Sequence, residues 1–220
     1  MEFLVFTAPN ARLSEEEVKE IIERCGEELE DEITELVETA AEIAAPKTLY
    51  GVLPIDARDE KGVTIGGIYI KSELMSRNFS PVSRVFPYIS TCGVELEEWS
   101  KSLDDPLLEY VADAIKQHYL RLAMSEFNKF IRERYGISGY MPAMNPGSIK
   151  EWPLTGQREL FSIFGYELIK EKIGVTLTDS CLMLPSKTVD GIYFESDHDY
   201  ENCELCPIKD CPNRRKAQMI

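Results

Sequence analysis

Three cysteines within nine residues, Cys203, Cys206 and Cys211 in the run Cys-Glu-Leu-Cys-Pro-Ile-Lys-Asp-Cys, form the densest group of reactive side chains in the sequence. Thiolates ligate soft metals, and a two-residue gap on a tightly turning segment lets two sulfurs face one ion. Pro207 and Pro212 supply the turning tendency. An iron–sulfur cluster needs a fourth ligand, for which Cys181 and Cys92 are the candidates. A zinc ion would instead take His198 to complete a three-cysteine, one-histidine set. Cys181 is preferred, because its loop from Thr178 to Pro185 must pack near whatever follows the last strand, whereas Cys92 ends a distant one. The predicted metal site is therefore Cys203, Cys206, Cys211 and Cys181, holding an iron–sulfur cluster, with zinc as the alternative. Cys25 falls in an apolar stripe and reads as a small core residue.

Other chemistries find few residues to work with. Two histidines leave little for acid–base catalysis. There is no glycine-rich phosphate loop, nucleophile elbow or histidine pair at metal spacing. A formal net charge of -15 opposes binding to nucleic acid and to anionic membranes. From Ser14 to Glu42 there are 13 acidic and two basic residues, so that one segment carries -11 of the total, which reads as a solvated helix face. No apolar run approaches the roughly 20 residues of a membrane span, and Met-Glu-Phe-Leu-Val-Phe lacks the basic start of a signal peptide. A cytoplasmic protein is expected, and a reducing compartment favours metal or redox chemistry over disulfides for the six cysteines.

The elements that must position these residues read as follows. Ser14 and Glu17 form a capping box, so a helix starts at Glu15, and its apolar stripe runs through Val18, Ile21, Ile22, Cys25, Leu29, Ile33, Leu36, Val37 and Ala40 with a break at Gly26. Thr48 to Pro54, Val63 to Ile70 and Val85 to Thr91 are rich in β-branched and aromatic residues and predict strands. Ser72 to Arg77 and Val94 to Leu103 predict short helices. Asp105 with Pro106 starts the longest helix, whose apolar face carries it to about Tyr135 and is flanked by His118 as a packing residue. Gly136 to Thr155 reads as an ordered loop of the kind that carries function, Thr155 caps a helix to about Gly165, and Val175 to Thr178 and Gly191 to Phe194 resume the strand pattern. Strands arriving in groups predict one α+β domain over 1–220, with a mainly antiparallel sheet flanked by long helices.

Three stretches carry a family resemblance: Ile137-Ser-Gly-Tyr-Met-Pro-Ala-Met, then Gly174-Val-Thr-Leu-Thr-Asp-Ser-Cys-Leu-Met-Leu-Pro185, then Val189-Asp-Gly-Ile-Tyr-Phe194. Together they resemble the activation domain of cobalamin-dependent methionine synthase, in which the corresponding run reads approximately Gly-x-x-Leu-Thr-Glu-Ser-x-x-Met-x-Pro, followed by Ser-Val-Ser-Gly-x-Tyr-Phe. Ser90-Thr-Cys-Gly93 and Arg132-Glu-Arg-Tyr135 resemble that domain's Thr-x-Gly strand end and Arg-Glu-Ala-Tyr helix end. The likeness is clearest from about Pro81 to Tyr200. The chain departs from the family at its ligand motif, of which it keeps Gly139-Tyr140, and at its C-terminal segment, where the three-cysteine run stands.

The resemblance implies a curved antiparallel sheet, S-adenosylmethionine as ligand, and cobalamin on a partner protein, a corrinoid-binding protein or methyltransferase. It implies a role in returning oxidised cobalt(II) to the active cofactor. It places Glu133 near the sulfonium ligand, Tyr200 against its adenosine and Tyr140 in the ligand motif; Asn145 and Gly147, in the Gly136 to Thr155 loop, are the further candidate cofactor-binding residues. The expected chain is a stand-alone reactivator whose iron–sulfur cluster relays one electron from a donor protein. The alternative is a non-enzymatic corrinoid-protein-binding module with structural zinc.

Overall fold

The computed structural model describes residues 2–9 and 11–197, so Tyr200, His198 and the predicted ligands Cys203, Cys206 and Cys211 lie outside the described residues. Within them, strands β1 (Phe3–Thr7), β2 (Lys47–Gly51), β3 (Leu53–Arg58), β4 (Gly62–Ile65), β5 (Ile68–Lys71), β6 (Arg84–Thr91), β7 (Ala143–Met144) and β10 (Thr188–Phe194) form one sheet, and β8 (Thr176–Leu177) pairs with β9 (Met183–Leu184). Every pairing is antiparallel. The helices are α1 (Glu15–Cys25), α2 (Glu30–Ile43), α3 (Glu73–Asn78), α4 (Val94–Lys101), α5 (Pro106–Tyr135), α6 (Gln157–Phe164) and α7 (Tyr166–Ile173). The α+β class with an antiparallel sheet is the one the sequence predicts.

Strand β6 is the axis of the sheet. One edge pairs with β2 through Tyr88–Thr91 and with β3 through Arg84–Val85; the other pairs with β10 along Val85–Thr91. Because strand side chains alternate, both of its faces must be covered. Phe86 and Tyr88 point with Tyr50 and Tyr193 toward Phe127 and Ile131 of α5. Leu49 and Ile89 point the other way, against Phe161 and Phe164 of α6 and Ile169 and Ile173 of α7. The acidic stripe-bearing helices α1 and α2 pack with α4 on α5 through Ile21, Ile33, Leu36, Leu96 and Ile115.

Local chemistry sets the element ends. Ser14 Oγ accepts from Glu17 N while a Glu17 carboxylate oxygen accepts from Ser14 N, closing the expected capping box. Gly26, at φ 125°, separates α1 from a 3-10 turn and α2, as the break in the stripe predicts. Asp105 Oδ1 caps α5 at Leu107 N, and Gly136 ends the helix in the left-handed region at φ 65°.

Several details differ from the sequence reading. The run Thr48 to Pro54 is divided between β2 and β3. The run Val63 to Ile70 is two strands, because Gly66 and Gly67 take positive φ and turn the chain into a hairpin. The edge strand β1 and the helix α7 are additional elements. Thr155 sits in a 3-10 turn, Leu154–Gly156, and α6 begins at Gln157 without a side-chain cap. Among the described residues, no helix is long and apolar enough to cross a membrane.

Candidate functional site

The end of α5 and the loop after it converge on the far end of β10. Gly136 N and Ile137 N both donate to Arg132 O, which turns the chain back along the helix. Arg132 then holds the returning chain: its Nε donates to Asn128 Oδ1 at 3.2 Å and its Nη1 donates to Gly139 O at 2.9 Å. Next to that clamp, Tyr140 N donates to Ser196 O at 3.0 Å and Ser196 N donates to Tyr140 O at 2.9 Å, an isolated antiparallel bridge. Gly139 permits this approach, since a Cβ there would lie 3.0 Å from Ser196 O. Further on, β7 joins β10 by Ala143 opposite Tyr193 and Met144 opposite Ile192.

This junction leaves the Tyr140 ring about half exposed. Pro81, Val82, Ser83, Arg84, Glu195, Ser196 and Asp197 border a cavity of about 310 Å³ beside it. Arg84 Nη2 donates to Tyr135 O at 3.0 Å, and the guanidinium lies over the rings of Phe86 and Tyr135. Glu133 is exposed on the last turn of α5. An arginine and two carboxylates thus border one opening, and the exposed Tyr140 is bridged to its lining residue Ser196, a set able to bind a ligand carrying both charges.

Asn145 faces inward and Gly147 lies in an exposed turn. Asn145 Nδ2 donates to Tyr88 Oη at 2.9 Å and to Asp190 O at 2.7 Å, tying the loop to β6 and β10. Gly147 takes φ 80° and donates from its N to Trp152 O at 2.8 Å, forming the turn before Trp152. Asp190 is buried on β10. Its Oδ1 accepts from Gln157 Nε2 at 3.5 Å, while its Oδ2 and Gln157 Oε1 have no hydrogen-bond partner among the described residues. Burial pushes the Asp190 carboxyl up to about 7, against the lowering effect of the Gln157 bond.

Of the predicted ligands, Cys181 lies among the described residues, as does the other candidate Cys92. Cys181 is buried at φ 61° in a turn held by Thr178 N to Leu182 O, Cys181 N to Thr178 O and Leu182 N to Thr178 Oγ1. Arg158 Nη2 pins the same turn by donating to Asp179 O at 2.7 Å. Cys92 is fully buried, and burial pushes its thiol up to about 12, which keeps the free thiol protonated at neutral pH. Among the described residues no group of three or more His, Cys, Asp or Glu is arranged to hold a metal ion.

Comparison with solved structures decides the fold. The crystal structure of the MetH reactivation domain bound to AdoHcy superimposes with a TM-score of 0.63 at 14% sequence identity, covering 91% of this chain and 80% of that one. This chain has the reactivation-domain fold. No family model and no curated protein sequence matches it, so the likeness is one of three-dimensional arrangement.

Within the reactivation-domain fold, the structure brings Tyr140 to the junction at which α5, the Gly139 turn and β10 meet, with Glu133 on the adjoining helix end. It uses Asn145 and Gly147 to anchor the loop. Arg84, Arg132, Gln157 and Asp190 are not among the site residues the sequence predicts, although Arg132 and Asp190 stand in the stretches that carry the resemblance. Arg132 carried a signal, since an arginine one turn before a helix-ending glycine is placed to reach the carbonyls that follow. Asp190 carried another, an acid sharing the strand face of Ile192 and Phe194.

Proposed function

We propose that this chain binds S-adenosylmethionine at the opening beside Tyr140 and serves, in the cytoplasm, to reactivate a corrinoid-dependent methyltransferase whose cobalt has been oxidised to cobalt(II). The observation that carries this reading is the reactivation-domain fold together with the cavity bordered by Arg84, Glu195 and Asp197, whose lining residue Ser196 is bridged to Tyr140. The fit is chemical: Arg84 would take the ligand's carboxylate, Glu195, Asp197 and Glu133 its positive charges, and Tyr140 and Tyr200 its base. A bound sulfonium compound would supply the methyl group. The chain's own residues bind it, orient it and keep the loop from Gly139 to Met144 rigid through the Arg132 clamp and the β7–β10 pairing. The partner is a cobalamin-bearing protein.

In the same reading Cys203, Cys206 and Cys211, with Cys181 as fourth ligand, hold an iron–sulfur cluster that passes one electron from a donor protein to cobalt(II). A thiolate-bound cluster reaches the low potential such a transfer needs. Its support is the spacing of the cysteines. Calorimetric titration with S-adenosylmethionine and S-adenosylhomocysteine tests the ligand, and Tyr140→Ala and Arg84→Gln should each weaken binding about tenfold. Absence of any heat with either compound would remove the ligand from the proposal. Anaerobic metal analysis tests the cluster: iron and acid-labile sulfide in near-equal amounts, lost in Cys206→Ser, support the relay, whereas stoichiometric zinc without sulfide makes the segment a clasp and the chain a binding module.

A further inference from the structure

A second cavity, of about 450 Å³, opens on another part of the molecule between the β4–β5 hairpin and the loop around Trp152. It shares no lining residue with the cavity beside Tyr140. Lys61 and Lys71 stand on one side, brought together because Gly62 pairs with Lys71 across the hairpin. Glu73, Glu151 and Glu159 line the same space. Among the described residues, none of these five charged side chains makes an ion pair within 4.0 Å with another. Opposite charges around one opening that do not close on each other leave both signs available to a ligand.

The inner wall is fixed. Trp152 is buried, and its Nε1 donates to a carboxylate oxygen of Glu159 at 3.0 Å. Gly156 makes room for that indole, since a Cβ would stand 2.2 Å from Nε1. Glu159 is half-buried, and burial raises its carboxyl above the usual range against the Trp152 bond, so a cation beside it would find a poorly solvated partner. The volume is within the range of small-molecule sites and well above that of one water, roughly 30 Å³.

We propose that this cavity binds a small zwitterion, with its phosphate or carboxylate between Lys61 and Lys71 and its ammonium group at Glu159. The site is independent of the Tyr140 opening. Glu159 has a fixed position because Trp152 orients it, whereas the lysines are long and mobile, so the ammonium end sets the pose and the anion end selects the charge.

The test uses the Trp99→Phe chain, in which Trp152 is the sole tryptophan. Phosphoethanolamine and γ-aminobutyrate, each at neutral pH, are the probes; inorganic phosphate and ethanolamine are the single-charge controls. A saturable change in Trp152 emission is expected with at least one zwitterion, and the stronger of the two tells phosphate from carboxylate. Either control should bind about tenfold more weakly, Glu159→Gln and Lys71→Gln should each lower the affinity about tenfold, and Arg84→Gln should leave it unchanged. The glutamine at 159 still accepts from Trp152, so that variant keeps the wall. No saturation with either zwitterion up to about 50 mM (a binding energy of under about 2 kcal/mol), an equal response to ethanolamine or phosphate alone, or affinities indifferent to both variants would overturn the proposal. Loss of S-adenosylmethionine binding in Arg84→Gln is a separate result and bears only on the Tyr140 opening.

Discussion

Replacing Asp190 by asparagine should remove most of a pH dependence that the wild-type fold carries in one buried carboxyl. Asp190 Oδ2 and Gln157 Oε1 are both acceptors without partners among the described residues, while Gln157 Nε2 already donates to Asp190 Oδ1. One proton on Oδ2 supplies the donor that both lack, so the neutral acid suits the site and the carboxylate does not. The titratable group facing it is Tyr88, whose hydroxyl burial pushes well above its ordinary value and which adds no compensating positive charge. Raising the carboxyl from 3.8 to about 7 corresponds to a stabilisation on the order of 4 kcal/mol, present in full below the unfolded value and lost as pH rises through the folded one. About 3 kcal/mol of this lies between pH 5 and pH 8.5 by the same linkage. Asparagine has the shape of the neutral acid and can donate to Gln157 Oε1 at any pH. Urea unfolding at a series of pH values should therefore show the wild type losing stability relative to Asp190→Asn across that window, with the variant the more stable at pH 8.5. Parallel curves for the two proteins, or a variant several kcal/mol weaker at pH 8.5, would refute a neutral Asp190.

The buried pair Lys116 and Glu97, at 3.0 Å, shows the opposite behaviour. Burial pushes Glu97 up, but Lys116 and Lys101 outweigh it and hold the carboxyl below its ordinary value. Lys116→Met should cost about 3 kcal/mol in urea unfolding, and Lys116→Met with Glu97→Leu should recover most of it; equal losses in the single and double variants would show that the charge left behind is not the cause. Gly156→Ala should drive a methyl into the Trp152 indole and cost about 2 kcal/mol, roughly 4–8 °C in Tm, while an unchanged Tm would mean the loop yields freely.

Much of the fold was legible because its elements are set by local rules. The capping box at Ser14, the Asp105–Pro106 start and the glycine stop at Gly136 name the ends of α1 and α5 without reference to the rest of the chain. Elements set by tertiary packing were less visible. β1 reads as Phe-Leu-Val-Phe-Thr, which alternates poorly, and it is a strand because β2 offers an edge. α7 is eight residues bounded by Gly165 and Gly174, too short to announce itself until Ile169 and Ile173 have a sheet face to cover.

The site follows the same division. Tyr140 is picked out in the sequence because Gly139-Tyr140 is what the chain keeps of the ligand motif it resembles. What holds the turn is Arg132 reaching Gly139 O and the bridge from Tyr140 to Ser196, the second of which joins residues 56 positions apart in the chain. No period or spacing encodes that meeting; it follows from β10 pairing with β6 while α5 crosses their face. Asn145 shows the converse. Its place in a loop rich in Gly, Pro and Met suggested a ligand contact, yet Tyr88 and Asp190 are near enough to take its amide, and a buried amide is stabilised by being satisfied. A polar residue in a functional loop therefore serves the ligand directly only when the fold leaves its side chain without an internal partner. Among the described residues Tyr140, about half exposed, is bonded through its backbone in the bridge to Ser196, which leaves its side chain available.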